Sequence, residues 1–362
     1  MSVLIHKIKQ WTNLKYDWVR PKTHVLLLAI LIVCIAIALK TGSYNIGFKA
    51  SLLWFKELLF TGSTSLTETE FTVIHNLRMP RILIGVCVGG GLAISGAALQ
   101  GLFRNPLVAP GLIGISSGAS LFAVIAIVLS GFLPLFVTEF FGEYLISIFA
   151  FFGALLVVSL VYTFSQVGGK TDIALLLLAG VGFNALFGAF VGLVVFFADD
   201  AQLRSFTFWS LGDLGGAQWK HFPLVLVFIV LPSLQLIRLA RHFDALALGE
   251  STAFHIGSKV HKLKKQVIVL TALIVGTSVA ITGSIGFIGL VIPHIIRSAF
   301  GPNHTFLMPA SFMVGGSLLI LSDSLARVII APAVLSIGIV TSLIGAPFFI
   351  YLLYQFKLHR KI

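Results

Sequence analysis

Residues 82–103, ILIGVCVGGGLAISGAALQGLF, run for a bilayer's width without one charge. A spanning helix needs about 20 mostly apolar residues, because the hydrocarbon core is roughly 30 Å thick and each residue rises about 1.5 Å. Within the stretch Gly85 and Gly89 stand four apart. Small residues at that spacing let two backbones approach closely, which drives association where lipid is as apolar as the neighbouring helix. The segment reads as a membrane span made to be packed against.

Outward from it the whole chain follows the same rule. Hydrophobic residues make up 57% of the 362 and charged residues 10%, with a mean hydropathy of +1.03. That leaves too little polar surface to coat a soluble globule, which excludes disorder, a disulfide-stapled secreted domain and a nucleic-acid-binding module. Cys34 and Cys87 both lie in apolar runs and support neither a disulfide framework nor a metal site. Further spans are expected near 24–40, 112–131, 144–164, 173–197, 222–239, 266–282, 285–300, 307–327 and 336–356. The fold class is thus an all-α polytopic membrane protein with about ten transmembrane helices. The span at 285–300 is short, and Pro293 is expected to break it, so it belongs inside the bundle where freed backbone groups find partners.

Ten spans put both termini on one side. With that side cytoplasmic, the inner loops hold 17 of the 25 basic residues and four of the 13 acidic ones. The net charge of +12 is then a positive-inside signal, and no nucleic acid is implied. No ionisable residue falls in the middle of a span, whereas ion-coupled pumps keep one there. Gln100 and Asn184 are the most polar interior groups and read as packed residues bonding a neighbouring helix. Gly180, Asn184, Gly188 and Gly192 form one stripe on the fifth span, a helix-contact surface that suits an oligomer.

Three other features carry chemistry. Gly168-Gly169-Lys170-Thr171 resembles the tail of a phosphate loop, but its required first glycine is Phe164, so it is not one. Arg78 and Arg81 flank Pro80 at the external end of the second span, with Arg327 ending the ninth on the same face. They read either as snorkelling side chains or as an exposed cluster suited to a partner's carboxylates. The longest inner loop, 240–265, contains Asp244-Ala-Leu-Ala-Leu-Gly-Glu-Ser-Thr-Ala-Phe-His-Ile-Gly257. It reads as two short helices ended by Gly249 and Gly257, with Leu246, Leu248, Ala253 and Ile256 on apolar faces that could rest on lipid or in a partner's groove. No catalytic, cofactor-binding or metal-ligand constellation is recognisable.

Arg78-Met-Pro-Arg81, the run 89–107, Pro-Gly-Leu-Ile-Gly-Ile-Ser-Ser-Gly-Ala (110–119), Trp209-Ser-Leu-Gly212, the 244–257 loop, residues 286–297, Pro309-Ala-Ser311, Asp323, Arg327 and Pro347-Phe-Phe-Ile-Tyr351 resemble the FecCD family in order. These are permease subunits of binding-protein-dependent ABC importers for iron-siderophores, haem and vitamin B12. The resemblance implies a type II importer permease fold with both termini cytoplasmic, in a bacterial inner membrane. It implies a homodimer sharing one pathway, two ATP-binding subunits that carry the hydrolysis, and an external solute-binding protein. Asp244, Leu246, Leu248, Gly249, Glu250, Ala253, Ile256 and Gly257 match the family's ATPase-coupling element, and Arg78, Arg81 and Arg327 its binding-protein docking arginines. Gly85, Gly89, Gln100, Asn184, Gly188 and Pro293 are expected in packing or along the pathway. The core is expected over 71–362, with residues 1–70 forming a cytoplasmic N-terminus, a first transmembrane helix and an external loop. Residues 198–210 look most like haem-type members, with a siderophore or cobalamin as alternatives. An ion-coupled secondary transporter is the remaining competitor from another class.

Overall fold

The structure is a computed structural model that describes residues 22–359 apart from 43, 45, 48, 49, 52, 55, 57–65, 133 and 332. The expected basic N-terminus before residue 22 lies outside the described residues. Thirteen helices position the functional surfaces: α1 (Lys22–Lys40), α2 (Glu68–Phe103), α3 (Ile115–Leu129), α4 (Leu145–Phe164), α5 (Ile173–Phe196), α6 (Asp200–Leu211), α7 (Trp219–Arg238), α8 (Ala240–Ala247), α9 (Glu250–His255), α10 (Val260–Thr282), α11 (Ile288–Phe300), α12 (His304–Ile329) and α13 (Ile337–His359). Among the described residues, seven helical stretches are long and apolar enough to cross a membrane, and α3, α11 and the first part of α13 are shorter apolar helices. Together these coincide with the ten expected spans.

Helix α2 is the centre of the bundle. Thr67 starts it by accepting a hydrogen bond from the Glu70 amide while the Glu70 carboxylate accepts from the Thr67 amide, a reciprocal cap. It begins fourteen residues before the hydrophobic run at Ile82. The boundary drawn at 70/71 therefore falls inside its first turn. Pro80 has no N–H to donate back down the helix, and the backbone widens into a π-turn over Val73–Arg78 immediately before it. At the other end Arg104 takes a left-handed conformation, and the Asn105 amide donates to the Gln100 carbonyl, closing the last turn.

The glycines of α2 are where its neighbours touch. A methyl at Gly89 would run into the Gly315 carbonyl of α12, and Leu319 Cβ would sit 2.7 Å from it. A methyl at Gly96 would collide with the Gly289 carbonyl of α11. That carbonyl is the one Pro293 leaves without an amide partner four residues later. The expected break at Pro293 is therefore corrected: α11 continues through it from Ile288 to Phe300, buried in the bundle as expected. The absent side chain at Gly96 gives the freed carbonyl room against α2.

Helix α3 is short because the chain re-enters the bundle before it. After α2 the segment 105–114 turns back, and the Gly111 carbonyl accepts from Asn184 Nδ2 at 3.0 Å. Asn184 lies about eleven residues, roughly 16 Å, above the start of α5. Helix α3 thus starts part-way up. On the external side α6, absent from the expected spans, ends at Gly212, whose carbonyl accepts from the Ile337 amide at 3.0 Å while the Asp213 amide donates to the Thr282 carbonyl at 2.8 Å. The sole sheet among the described residues is a hairpin pairing β1 (Gln166–Val167) with β2 (Lys170–Thr171). Gly168 and Gly169 both have positive φ, as a type I′ turn demands.

Helix α5 is the least covered span, with 17% of its apolar window buried. Gly180 packs on the Leu112 carbonyl, but Gly182, Gly188 and Gly192 have open space where a side chain would be. The stripe read from sequence is thus half used within one chain and half vacant.

Candidate coupling and docking surfaces

On the inner side α8 and α9 form a hinged pair. Gly249 joins them at φ +116° and Gly257 ends the second at φ +93°, conformations that side chains disfavour. The expected single apolar faces are corrected. Phe243, Leu246 and Ala253 point into the bundle with at most 1% exposure, whereas Leu248, Phe254 and Ile256 are 68%, 69% and 62% exposed. The pair is amphipathic toward the protein on one side and presents large apolar side chains on the other. The sequence reading, which placed Leu246, Leu248, Ala253 and Ile256 on the apolar faces, did not single out Phe254.

Three polar ties fasten this pair from the bundle side. Asp244 Oδ1 accepts from the His304 backbone amide at 2.9 Å and lies 2.7 Å from His304 Nδ1. His242 Nδ1 lies 3.0 Å from Ser258 Oγ. Lys264, buried on α10, donates to Glu250 of α9 at 3.0 Å and to the Thr171 carbonyl of β2 at 3.1 Å. The loop expected over 240–265 is thus helical again from Val260. Lys264, held by Glu250 and Thr171, lines a cavity of about 590 Å³ together with Lys259, Lys262, Lys170 and Phe254.

Closer to the bundle axis, Gln100 Nε2 donates to the Leu290 carbonyl at 3.2 Å, and its Oε1 accepts from Arg297 Nη1 at 2.8 Å. One amide therefore satisfies both its ends on α11. Asn184 bonds the short 3₁₀ turn Pro110–Ile113 of the re-entrant segment.

On the external side the arginines are engaged by their own chain. Arg78 is 5% exposed and donates to the Leu39, Lys40 and Tyr44 carbonyls, capping the end of α1. Arg81 clasps Asp323 through Nε at 3.0 Å and Nη2 at 2.6 Å, and reaches Asp213 at 3.4 Å. Arg327 pairs with the other Asp323 oxygen at 3.1 Å and donates to the Thr41 carbonyl at 2.7 Å. Neither snorkelling nor a freely exposed cluster describes them. They form an intramolecular knot joining α1, α2 and α12, with Asp213 as its most open member at 49% side-chain exposure. Sequence reading missed the knot because its bonded partners lie far apart, 242 positions between Arg81 and Asp323 and 286 between Thr41 and Arg327.

Of the external histidines, His75 stacks on Phe71 at 5.1 Å, and its carbonyl accepts from Trp219 Nε1 at 2.7 Å. His221 meets the Tyr144 ring edge-on at 5.5 Å, beside an apolar groove of about 180 Å³ lined by Phe151, Phe152 and Phe228.

The sequence profile of the FecCD transport family matches residues 30–355, beginning inside α1. The hemin transport system permease protein HmuU of Yersinia pestis is 41% identical, over 95% of this chain and 98% of that one. The vitamin B12 import system permease protein BtuC of Vibrio vulnificus is 36% identical, over 97% of each. A solved structure described as an inward-facing conformation of a metal-chelate type ABC transporter superposes with a TM-score of 0.79 at 33% identity, covering 92% of this chain and 99% of that one. With its ten apolar helices arranged as in that structure, the chain belongs to the FecCD transport family and is a multi-pass permease of an ABC importer in the cytoplasmic membrane.

Proposed function

We propose that the chain is half of a homodimeric permease that moves haem inward, powered by two cytoplasmic ATPase subunits and fed by an external binding protein. The observation that carries this reading is the two-faced α8–α9 pair. Its inner face is fixed to the bundle, and its outer face offers Leu248, Phe254 and Ile256 to water. Three large apolar side chains on a short helical hinge are costly to expose and suit the groove of a soluble partner. Asp244, Leu246, Gly249, Glu250, Ala253 and Gly257 shape and anchor that hinge.

The second copy is assigned to the α5 face, where Gly188 and its neighbours leave a close approach open. Gly85, Gly89 and Pro293 hold the helices that flank the pathway, and Gln100 and Asn184 fix its re-entrant walls. A pathway without mid-span charge holds cargo weakly, so affinity resides in the binding protein and direction in ATP-driven alternation between states. That binding protein is assigned to the external knot. Its carboxylates would reach Arg81 by replacing the exposed Asp213, while Arg78 and Arg327 keep the site in place from behind.

Haem is favoured over cobalamin by the greater identity to the relative named for hemin, and by the 198–210 segment that forms α6 at the pathway's outer end. The test is uptake by the complete transporter in proteoliposomes offered haem, cobalamin or a ferric siderophore. ATP-dependent accumulation of haem alone is the expected result. Accumulation of either other cargo in its place refutes the haem assignment and leaves the permease class standing.

A further inference from the structure

His304 opens α12 at the inner surface, 5% exposed, sixty residues from the coupling segment in sequence. Its ring is held from three directions. Nδ1 faces Asp244 Oδ1 at 2.7 Å, the ring stacks on Phe243 at 5.4 Å and 22°, and its other edge abuts α2, where a methyl at Gly101 would lie 2.7 Å from Nε2. Nε2 has no hydrogen-bond partner among the described residues. A ring that donates from Nδ1 to the carboxylate and keeps a bare lone pair at Nε2 fits that surrounding, since a buried N–H without an acceptor would cost more.

The same Asp244 oxygen also caps the His304 amide. Asn303 already caps the Thr305 amide of the same turn, so Asp244 adds a second acceptor at the start of α12. Asp244 therefore binds the start of α12 twice, once through the backbone and once through the ring. From there α12 runs against α2 through Gly315 and Gly89, too closely for the two helices to slide independently. Roughly 28 Å further out, Asp323 of α12 is clasped by Arg81 of α2.

Resting on the reading that α8–α9 seats an ATPase, we propose that His304 is a positioning residue for transport. Through Asp244 it fastens the ATPase-facing segment to the α2–α12 pair, so that movement of α8 is delivered to the Arg81–Asp323–Arg327 knot at the external end. The segment's other ties run to Ser258 and to α10, and neither reaches α12.

The test uses the complete transporter in proteoliposomes, with haem uptake counted per ATP hydrolysed. With His304→Leu the ATPase subunits remain bound and basal hydrolysis stays within about twofold, while uptake per ATP falls at least about tenfold. His304→Asn, whose amide can still donate to Asp244, restores coupling to within about threefold. A merely structural role would lower assembly and hydrolysis together and would not separate these readouts. Unchanged uptake per ATP in His304→Leu overturns the proposal, as does loss of ATPase binding in that variant. If His304→Leu does not accumulate, His304→Asn is compared with His304→Gln, which places its donor one methylene further out. A fall in the second alone supports the proposal, and equal coupling overturns it. Leu248→Asp separates the underlying reading: if it leaves ATPase binding and uptake intact, the seat itself is wrong, whatever His304 does.

Discussion

Replacing Asp323 by Asn removes the one carboxylate that faces two guanidiniums in the external knot. Asp323 is 3% exposed, and Arg81 and Arg327 are 15% and 10% exposed. In Asp323→Asn both arginines keep their charge with no buried counter-charge between them. Taking one partner from a buried pair costs about 3–5 kcal/mol, and an effective dielectric near 20 puts one contact at ~4 Å near 4 kcal/mol. The arginines retain the Thr41, Ala38 and Asp213 contacts and some water, so the expected loss is the lower value, about 3 kcal/mol. Arg81→Met leaves Asp323 still paired with Arg327 and should cost less, about 1.5–2 kcal/mol. In the double variant a single unpaired cation remains, and its cost should fall short of the two singles' sum by at least about 1 kcal/mol. Unfolding of the purified permease in mixed micelles, titrated with denaturing detergent, measures all four proteins. A neutral Asp323→Asn, or strict additivity, refutes the claim that the knot is one coupled unit.

Other outcomes follow from the same geometry. Phe254→Asp takes a large apolar side chain from the outer face of α9 without touching the core. It should weaken ATPase co-purification by about tenfold or more, the worth of roughly 1.5–3 kcal/mol of lost burial. Gly96→Ala forces a methyl against the Gly289 carbonyl between two backbones and should cost about 1–3 kcal/mol in the same unfolding titration. Gly188→Ala, placed in open space, should leave monomer stability unchanged and lower only the dimer fraction in cross-linking. Lys264→Met strands the Thr171 carbonyl and half-exposed Glu250. Faster hydrogen exchange over β2 and α9, equivalent to about 1–2 kcal/mol, is expected there.

The spans were legible because hydropathy is a local property: each residue's aversion to water is written at its own position. The glycine run of α2 was legible as a packing surface for the same reason, though which neighbour each glycine receives was not. Pro293 shows the limit. From one segment it reads as a break, because the room for the freed Gly289 carbonyl is made by another helix at Gly96, which leaves no side chain to notice. Leu246 and Leu248 mark another limit. In a helix of eight residues the apolar positions are too few for periodicity to separate an inward face from an outward one. The arginines were visible as charges on an unfavourable side, but charge placement does not say which carboxylate folds beneath them. Asp323 lies far along the chain from Arg81, and Asp244 from His304. Such pairs exist only after the bundle closes, so the knot and the inner tie had no signature in the sequence.

On the proposed reading this chain is a conduit that converts no energy of its own. Purified alone into liposomes bearing a proton or sodium gradient, it should accumulate no haem. With the ATPase subunits, the binding protein and ATP added, haem should accumulate and stop when ATP is exhausted. Uphill accumulation by the chain alone, driven by either gradient, would contradict it.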